Sequence, residues 1–461
     1  MPEGTPRAVV IGAGITGLAA ARVLDRDGAL DVVVLEATDR PGGKIRTLDV
    51  DGAAVEAGPD WFLTTNPAAL DLCRDLGLAD DLVRPVTAGA RIWSGGRLVP
   101  FPTGFVRGVP ASPRALLRCR GLSPAGRLRG LADLFLPGPL SGPDVSVEKF
   151  VRRRFGAQVL ERIADPMFGA SRSGRTSELG LAAAAPEINA AARSSRSVMR
   201  GLMGMQGQSR THPFVGLSGG MERLVDRLTN SFERTTLRCN APVRAIRALD
   251  GRYEVTTDGE TLHADAVIVA LPAYAAKEVL KPLDGSMADA LSRIRYSSTA
   301  VVSFLYPGGS VPAPQGASGW LVPSSENGLL IACAWYSRKW AHARPRGGGA
   351  VMRGFAGRTE GDPALSLSDS DLCERLAAEI AAVTGTTESP IGTWVTRWDR
   401  ALPVYSVGHL DSVKEIERAS ARFPGLETAG AGIGGSGLPD CISQGEAAAR
   451  KAIAAVRRGA H

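Results

Sequence analysis

The stretch Val9-Val10-Ile11-Gly12-Ala13-Gly14-Ile15-Thr16-Gly17-Leu18-Ala19-Ala20 constrains this chain more than any other, because an apolar run meets three glycines and then an alanine-rich segment. The apolar run reads as a buried strand and the alanines as a helix packed closely on it. In such a unit Gly12 permits the tight turn, Gly14 lets backbone approach a pyrophosphate, and Gly17 lets helix pack on strand. The helix N-terminus at Ile15 and Thr16 then offers free N–H groups to the anion. Three glycines alone are a weak signal. Here a second strand, Asp31 to Leu35, runs into Glu36 and Ala37, and the acid falls about twenty residues past the glycines, where a ribose hydroxyl needs an acceptor. The expected fold class is α/β, with a Rossmann unit at the N-terminal end.

At 461 residues, 44% of them apolar and 22% charged, the chain is long enough for two or three globular domains. No apolar run reaches membrane-spanning length, and Met1 to Arg7 lacks the charged-then-apolar order of a secretory signal, so residence in the cytoplasm is expected. The six cysteines contain no C-x-x-C pair, which argues against disulfides and against a cysteine-based metal site; none is expected. Lys plus Arg exceed Asp plus Glu by 54 to 47, a balance compatible with an acidic small molecule, an anionic membrane surface or a solvated face. With aromatics at 5% and no basic-aromatic stripe, nucleic acid is not an expected partner.

Past Glu36 the chain reads Asp39-Arg40-Pro41-Gly42-Gly43-Lys44-Ile45-Arg46-Thr47. Two glycines flanked by cations can face a second stretch of pyrophosphate, which a long extended FAD requires and a nicotinamide enzyme does not. With Val55-Glu56-Ala57-Gly58-Pro59-Asp60, this resembles the glutathione-reductase-like FAD enzymes of the amine oxidase and desaturase superfamily.

Residues 86–210 carry helical periodicity broken by Pro and Gly, as in Ser112 to Arg120 and Gly126 to Leu136, and read as a helical insert. The amphipathic part from Phe101 to Leu140 suits packing on the domain or contact with lipid head groups. Phe214 to Leu228 is a glycine turn entering a helix and returns the chain to the nucleotide domain, followed by strands at Thr236 to Cys239, Ala241 to Ala248 and Tyr253 to Thr257, and by Ala266-Val-Ile-Val-Ala-Leu271-Pro272, a buried strand stopped by proline. Val243 sits where the superfamily uses backbone groups to hold adenine; composition alone reads it as a core valine. Residues 289–400 read as a mixed sheet over the substrate. Its five tryptophans suit either the walls of a flat-ligand site or an ordinary core. The FAD domain is thus expected to be discontinuous, from 1–85, 211–288 and 401–461.

Near the C-terminus, Gly430-Ala-Gly-Ile-Gly-Gly-Ser-Gly437-Leu438-Pro439 is followed by a helix from Ser443 to Val456. A glycine loop at a helix start places free N–H groups and a positive dipole end at the flavin N1/C2=O edge.

The opening motif, Gly42-Gly43, Ser218-Gly219-Gly220-Met221, Trp398-Asp399-Arg400-Ala401-Leu402-Pro403, Tyr405-Ser-Val-Gly-His409-Leu410 and Gly437-Leu-Pro-Asp-Cys441-Ile442 together resemble one family over the full length. They resemble oxygen-dependent porphyrinogen oxidases, especially the bacterial coproporphyrinogen III oxidases of heme biosynthesis. The resemblance implies noncovalent FAD, since Leu-Pro-Asp-Cys441 is unlike a cysteine-flavin link, with O2 as acceptor and hydrogen peroxide as product. It implies no obligatory side-chain base, and the five histidines (212, 263, 342, 409, 461) are isolated.

The chain departs from the family on the substrate side. Thr64-Thr65-Asn66-Pro67 stands where relatives carry a cation for a substrate carboxylate, and Met167-Phe168-Gly169-Ala170-Ser171-Arg172-Ser173-Gly174-Arg175 replaces a glycine-rich run with a Tyr and an acid. Asn66, Phe168, Arg172 and Arg175 are therefore the candidate substrate contacts, with either arginine able to clamp a carboxylate. Two alternatives stay open: a paralogue that dehydrogenates a cyclic amine or pyrroline, and a non-catalytic flavoprotein. The sequence leaves oligomeric state undetermined.

Overall fold

The computed structural model describes residues 5–137, 144–172, 174–205, 214–359 and 361–459. Strand Arg7–Ile11 lies at the centre of a five-stranded parallel sheet in the order Thr236–Arg238, Asp31–Leu35, Arg7–Ile11, Ala266–Val269, Leu426–Thr428. Val10 registers between Val34 and Ile268, so β-branched side chains fill both faces. Ala8 and Val10 pack on the helices Ile15–Asp27 and Leu438–Gly459, through Leu18, Ala20 and Leu24 of one and Ala448, Ala449 and Ala452 of the other. Val9 and Ile11 face the opposite way, onto Ile246, Tyr253, Val255 and Leu262 of an antiparallel sheet formed by Val243–Leu249, Arg252–Thr257 and Thr261–Ala264. Each such aliphatic side chain contributes roughly 1.5–3 kcal/mol by leaving water.

The second sheet has seven strands in the order Gly392–Pro403, Tyr296–Tyr306, Ala350–Ala356, Leu330–Trp335, Ala317–Leu321, Gly89–Ser94, Arg97–Pro100. Its last two strands correct the reading of residues 86–210 as helical: the segment begins with a hairpin that extends this sheet, Gly89–Ser94 running parallel to Ala317–Leu321. Helix Asp369–Thr384 covers the outer face, where Leu372, Leu376 and Ile380 meet Phe304, Trp320 and Trp335. Trp320, Trp335 and Trp340 thus fill cores rather than line a ligand site, each at most 1% exposed.

The helical layer follows from Pro113. Ser112, Ser123 and Ser146 each accept an N–H three residues on, and proline sits in the first turn of the first two helices, so the start signals match the capping chemistry. Phe150, Phe155, Ile163, Phe168, Ile188 and Met199 form its core. Within it the buried pair Arg154 and Asp133 is satisfied on both sides: Asp133 accepts from Ser197 Oγ at 2.7 Å and Met199 N at 3.1 Å, and Arg154 donates to the carbonyls of Arg196 and Pro137. Such partners offset the desolvation of both charges. Leu117, Leu128 and Phe135 stand exposed on this layer. Among the described residues no helix is long and apolar enough to cross a membrane.

Candidate functional site

The three opening glycines meet different demands. Gly12 has φ +98°, and a Cβ there would lie 2.8 Å from the Ala270 carbonyl oxygen. A Cβ on Gly17 would lie 1.9 Å from the Gly12 carbonyl oxygen, whereas one on Gly14 would meet no atom within 4 Å. The first helical hydrogen bond runs from Leu18 N–H to Gly14 O at 2.9 Å, so the N–H groups of Ile15, Thr16 and Gly17 precede any intrahelical acceptor. Glu36 reaches back across the turn: Oε2 accepts from Ala13 N at 2.8 Å, and Oε1 from Thr38 N and Oγ1 at 2.9 and 2.8 Å. A carboxylate has about four acceptor positions, so Glu36 retains capacity for a hydroxyl donor. Ala37, just beyond, is exposed, and Val243 is half-buried against the core of the antiparallel sheet.

The second glycine loop docks on the first. Gly42 N–H donates to Ala13 O at 2.8 Å, and a Cβ on Gly43 would lie 3.3 Å from Gly14 Cα. Arg40 is spent inside the loop rather than displayed as a free cation: its guanidinium donates to the carbonyls of Pro41, Gly43 and Ile45 at 3.0–3.2 Å and pairs with Glu222 at 3.3 Å. Lys44 is different. Among the described residues no carboxylate pairs with it, and burial pulls its pKa down while nearby Cys441 acts weakly the other way. A desolvated, unpaired ammonium beside an open glycine and a helix N-terminus fits a pyrophosphate. Gly58, with Pro59 after it, abuts this loop closely enough that a Cβ would sit 1.8 Å from Lys44 O.

The C-terminal glycine loop is pinned from both sides. Gln444 Oε1 accepts from Gly430 N and Gly434 N at 3.1 Å, its Nε2 donates to Gly435 O at 3.2 Å, and Tyr405 OH donates to Ala431 O at 2.6 Å. The helix after it begins at Leu438, directly after Gly437 and earlier than Ser443, because proline at 439 is at home in a first helical turn. Gly445 brings this helix against the first one: a Cβ there would lie 2.1 Å from Thr16 O. Cys441 is buried, its thiol pushed up to about 11, mainly by burial.

One cluster escaped sequence reasoning. Glu56 accepts from Met221 N at 2.6 Å and Thr47 Oγ1 at 3.1 Å, and burial pushes it up to about 8. Burial also pushes Asp60 up, but Lys339 at 2.6 Å and Arg353 outweigh it and hold its pKa below the usual value. Trp340 Nε1 adds a hydrogen bond to Asp60 at 3.0 Å, and Arg353 donates to Gly58 O. Gly58-Pro59-Asp60 was visible in sequence, but its partners come from a distant helix and strand with no spacing signal.

Of the substrate candidates, Asn66 ties structure together: it donates to Asp440 Oδ1 at 3.1 Å and Ser443 Oγ at 3.2 Å and accepts from Ala68 N at 3.1 Å. Phe168, 1% exposed, belongs to the helical core, where packing has claimed the ring expected to meet a ligand. The Arg172 side chain lies outside the described residues. Arg175 is exposed on a turn closed by Glu178 N–H to Arg175 O at 2.9 Å. The face of the seven-stranded sheet away from helix Asp369–Thr384 mixes small and bulky side chains. Gly319 is opposite Ala334, Leu321 opposite Ala332 and Ala332 opposite Phe355, all half-buried, while the alternating Trp320, Cys333 and Trp335 are in the outer core. His409 is buried beside Tyr405, ring centroids 4.5 Å apart, and burial lowers its pKa to about 4; His212 and His461 lie outside the described residues.

Two interlocked glycine loops, an acid at the end of the second strand and a third glycine loop at a helix start define a protein built around an extended dinucleotide beside a separate seven-stranded sheet. The chain belongs to the flavin containing amine oxidoreductase family, which it matches over residues 15–453, and it is an FAD-dependent oxidoreductase. It is 32% identical to a coproporphyrinogen III oxidase of Bacillus subtilis (strain 168), over 98% of this chain and 99% of that one. It is also 32% identical to a coproporphyrinogen III oxidase of Propionibacterium freudenreichii, over 96% and 90%. A crystal structure from Exiguobacterium sp. 255-15, provisionally named a protoporphyrinogen oxidase, superposes with a TM-score of 0.86 at 29% identity, covering 97% of this chain and 98% of that one.

Proposed function

We propose that this protein oxidises coproporphyrinogen III to coproporphyrin III, the macrocycle losing three pairs of hydrogens to three molecules of dioxygen and giving three of hydrogen peroxide. The observation that carries the reading is the resemblance to coproporphyrinogen III oxidases, 32% identical over nearly the full length of both chains. Bound FAD supplies the electron acceptor that dioxygen restores. The chain's own part is binding and orientation. Gly14, the N–H groups of Ile15 and Thr16, and Lys44 hold the pyrophosphate, with Gly12, Gly17, Gly42 and Gly43 shaping the approach and Arg40 closing the second loop. Glu36 takes the ribose, Val243 and Ala37 flank the adenine, and Gly58 with Pro59 fixes the loop beside Lys44. Gly437 and Leu438 would present N–H groups to the ring that gains negative charge on reduction, while the Gly430 N–H, held by Gln444, fixes the loop. Cys441 stays protonated at neutral pH with its thiol near 11, which supports noncovalent FAD. With FAD bound, the helical layer packed on the sheet would orient the substrate and shield it from water.

The test is anaerobic mixing. Coproporphyrinogen III should bleach the flavin absorbance, and air should then restore it with release of fluorescent coproporphyrin and peroxide. Bleaching by a cyclic amine or pyrroline but by neither coproporphyrinogen III nor protoporphyrinogen IX would overturn the assignment.

A further inference from the structure

Asn66 is consumed by hydrogen bonds to Asp440 and Ser443, so the cation missing from that region must be sought elsewhere. A cleft of about 450 Å³ brings together Arg175 from the helical layer, Arg295 and Tyr296 at the start of strand Tyr296–Tyr306, and Glu178, Thr359 and Val404. Its cations are underused. Among the described residues no carboxylate pairs with Arg175, and Arg295 has only long contacts, 3.5 Å to Glu178 Oε1 and 3.4 Å to Ser406 Oγ. Glu178, on the lining of the same cleft, is the internal stand-in for a carboxylate ligand at Arg295. The floor of the cleft leads to the cofactor side: a Cβ on Gly432 would lie 2.7 Å from Tyr296 OH, and Tyr405, next to Val404, donates to Ala431 O at 2.6 Å. Tyr296 and Val404 thus connect the lining of the cleft to residues packed on the C-terminal glycine loop.

We propose that Arg175 and Arg295 form a two-pronged carboxylate clamp that holds an acidic side chain of the substrate, with Glu178 as the internal competitor the substrate displaces. The assignment of that carboxylate to a macrocycle side chain rests on the proposed function. Two planar guanidinium forks from separate layers suit a carboxylate because each can offer paired N–H donors to its two oxygens. Arg358 adds to the positive field: its guanidinium donates to Val322 O at 2.6 Å and lies near enough to Arg175 for their charges to interact.

The test uses FAD-loaded enzyme and two readouts. In steady state, Arg295→Ala and Arg175→Ala should each raise KM for coproporphyrinogen III roughly tenfold with kcat within twofold, since one charged hydrogen bond is worth about 1.5 kcal/mol or more. Arg295→Lys should recover part of the loss. Glu178→Gln should lower KM, because it removes the competitor, a sign that a purely structural role would not produce. At equilibrium, fluorescence quenching by coproporphyrin III and its tetramethyl ester needs no turnover: the alanine variants should weaken the acid and leave the ester unchanged. Unchanged KM in both alanine variants, equal weakening of acid and ester, or a Glu178→Gln enzyme that binds more weakly overturns the clamp. Competition by millimolar citrate as strong as by the porphyrin would also overturn it, reducing the cleft to a general anion site. Acid-selective binding that depends on both arginines in an enzyme that oxidises no porphyrinogen would overturn the proposed function and leave the clamp standing.

Discussion

A Cβ on Gly17 would lie 1.9 Å from the carbonyl oxygen of Gly12, while three residues earlier Gly14 has open space where its Cβ would be. One glycine serves the fold and the other the ligand, and two substitutions should separate these roles. Gly17→Ala should destabilise by about 3 kcal/mol or more, since the Gly12 carbonyl cannot move without breaking the turn. Gly14→Val should fold with a melting temperature near that of the wild-type apoprotein and contain no FAD, read as flavin absorbance per chain. Retention of FAD at native occupancy would contradict the assignment.

Lys44 should trade stability for binding. Removing an unpaired, desolvated ammonium relieves a cost of the apoprotein, so Lys44→Met should raise its melting temperature. The same change should weaken FAD by roughly tenfold to a hundredfold, because a charge-assisted contact to phosphate is lost. Flavin titration of apoprotein and thermal unfolding, done on one preparation, check both halves.

The buried carboxyl of Glu56 gives a pH signature. Its folded pKa, near 8, lies above its ordinary value of 4.5, so between these pH values the native state holds a proton that the unfolded state has released. Stability from this group therefore falls as pH rises through that window. Glu56→Gln keeps an acceptor for Met221 N–H and abolishes the titration, so its stability relative to wild type should rise between pH 5 and pH 9, by on the order of 4 kcal/mol. Urea unfolding at the two pH values is the measurement; a constant difference would exclude the mechanism.

Asn66→Ala should behave as a structural mutation. It loses the acceptor for Ala68 N–H at the start of helix Ala68–Asp75 and the tie to Asp440 and Ser443, a loss of about 1–2 kcal/mol. KM for the porphyrinogen should stay within twofold, in contrast to the Arg175 and Arg295 variants.

Much of the cofactor half was legible because its signals are local. Strand, glycine turn, helix and acid follow one another within a short span, and each glycine's role comes from backbone geometry that neighbours in sequence dictate. The strands at Asp31–Leu35 and Ala266–Val269 lie where their apolar runs predict. Arg40 shows the limit even here: the pattern marks a cation beside a glycine loop but cannot tell one that binds the loop's own carbonyls from one left for a ligand.

The sequence by itself determined a dinucleotide-binding α/β unit with a second glycine loop suited to FAD, because turn chemistry and period-two burial act over a few residues. Only the tertiary structure decided that residues 89–100 extend the seven-stranded sheet, that Phe168 and three of the tryptophans are core, that Asn66 ties two helices together, and that Arg175 and Arg295 line one cleft. These are contacts between segments far apart in the chain. No residue spacing encodes them, since which polar side chain is left unpaired depends on what packing places opposite it.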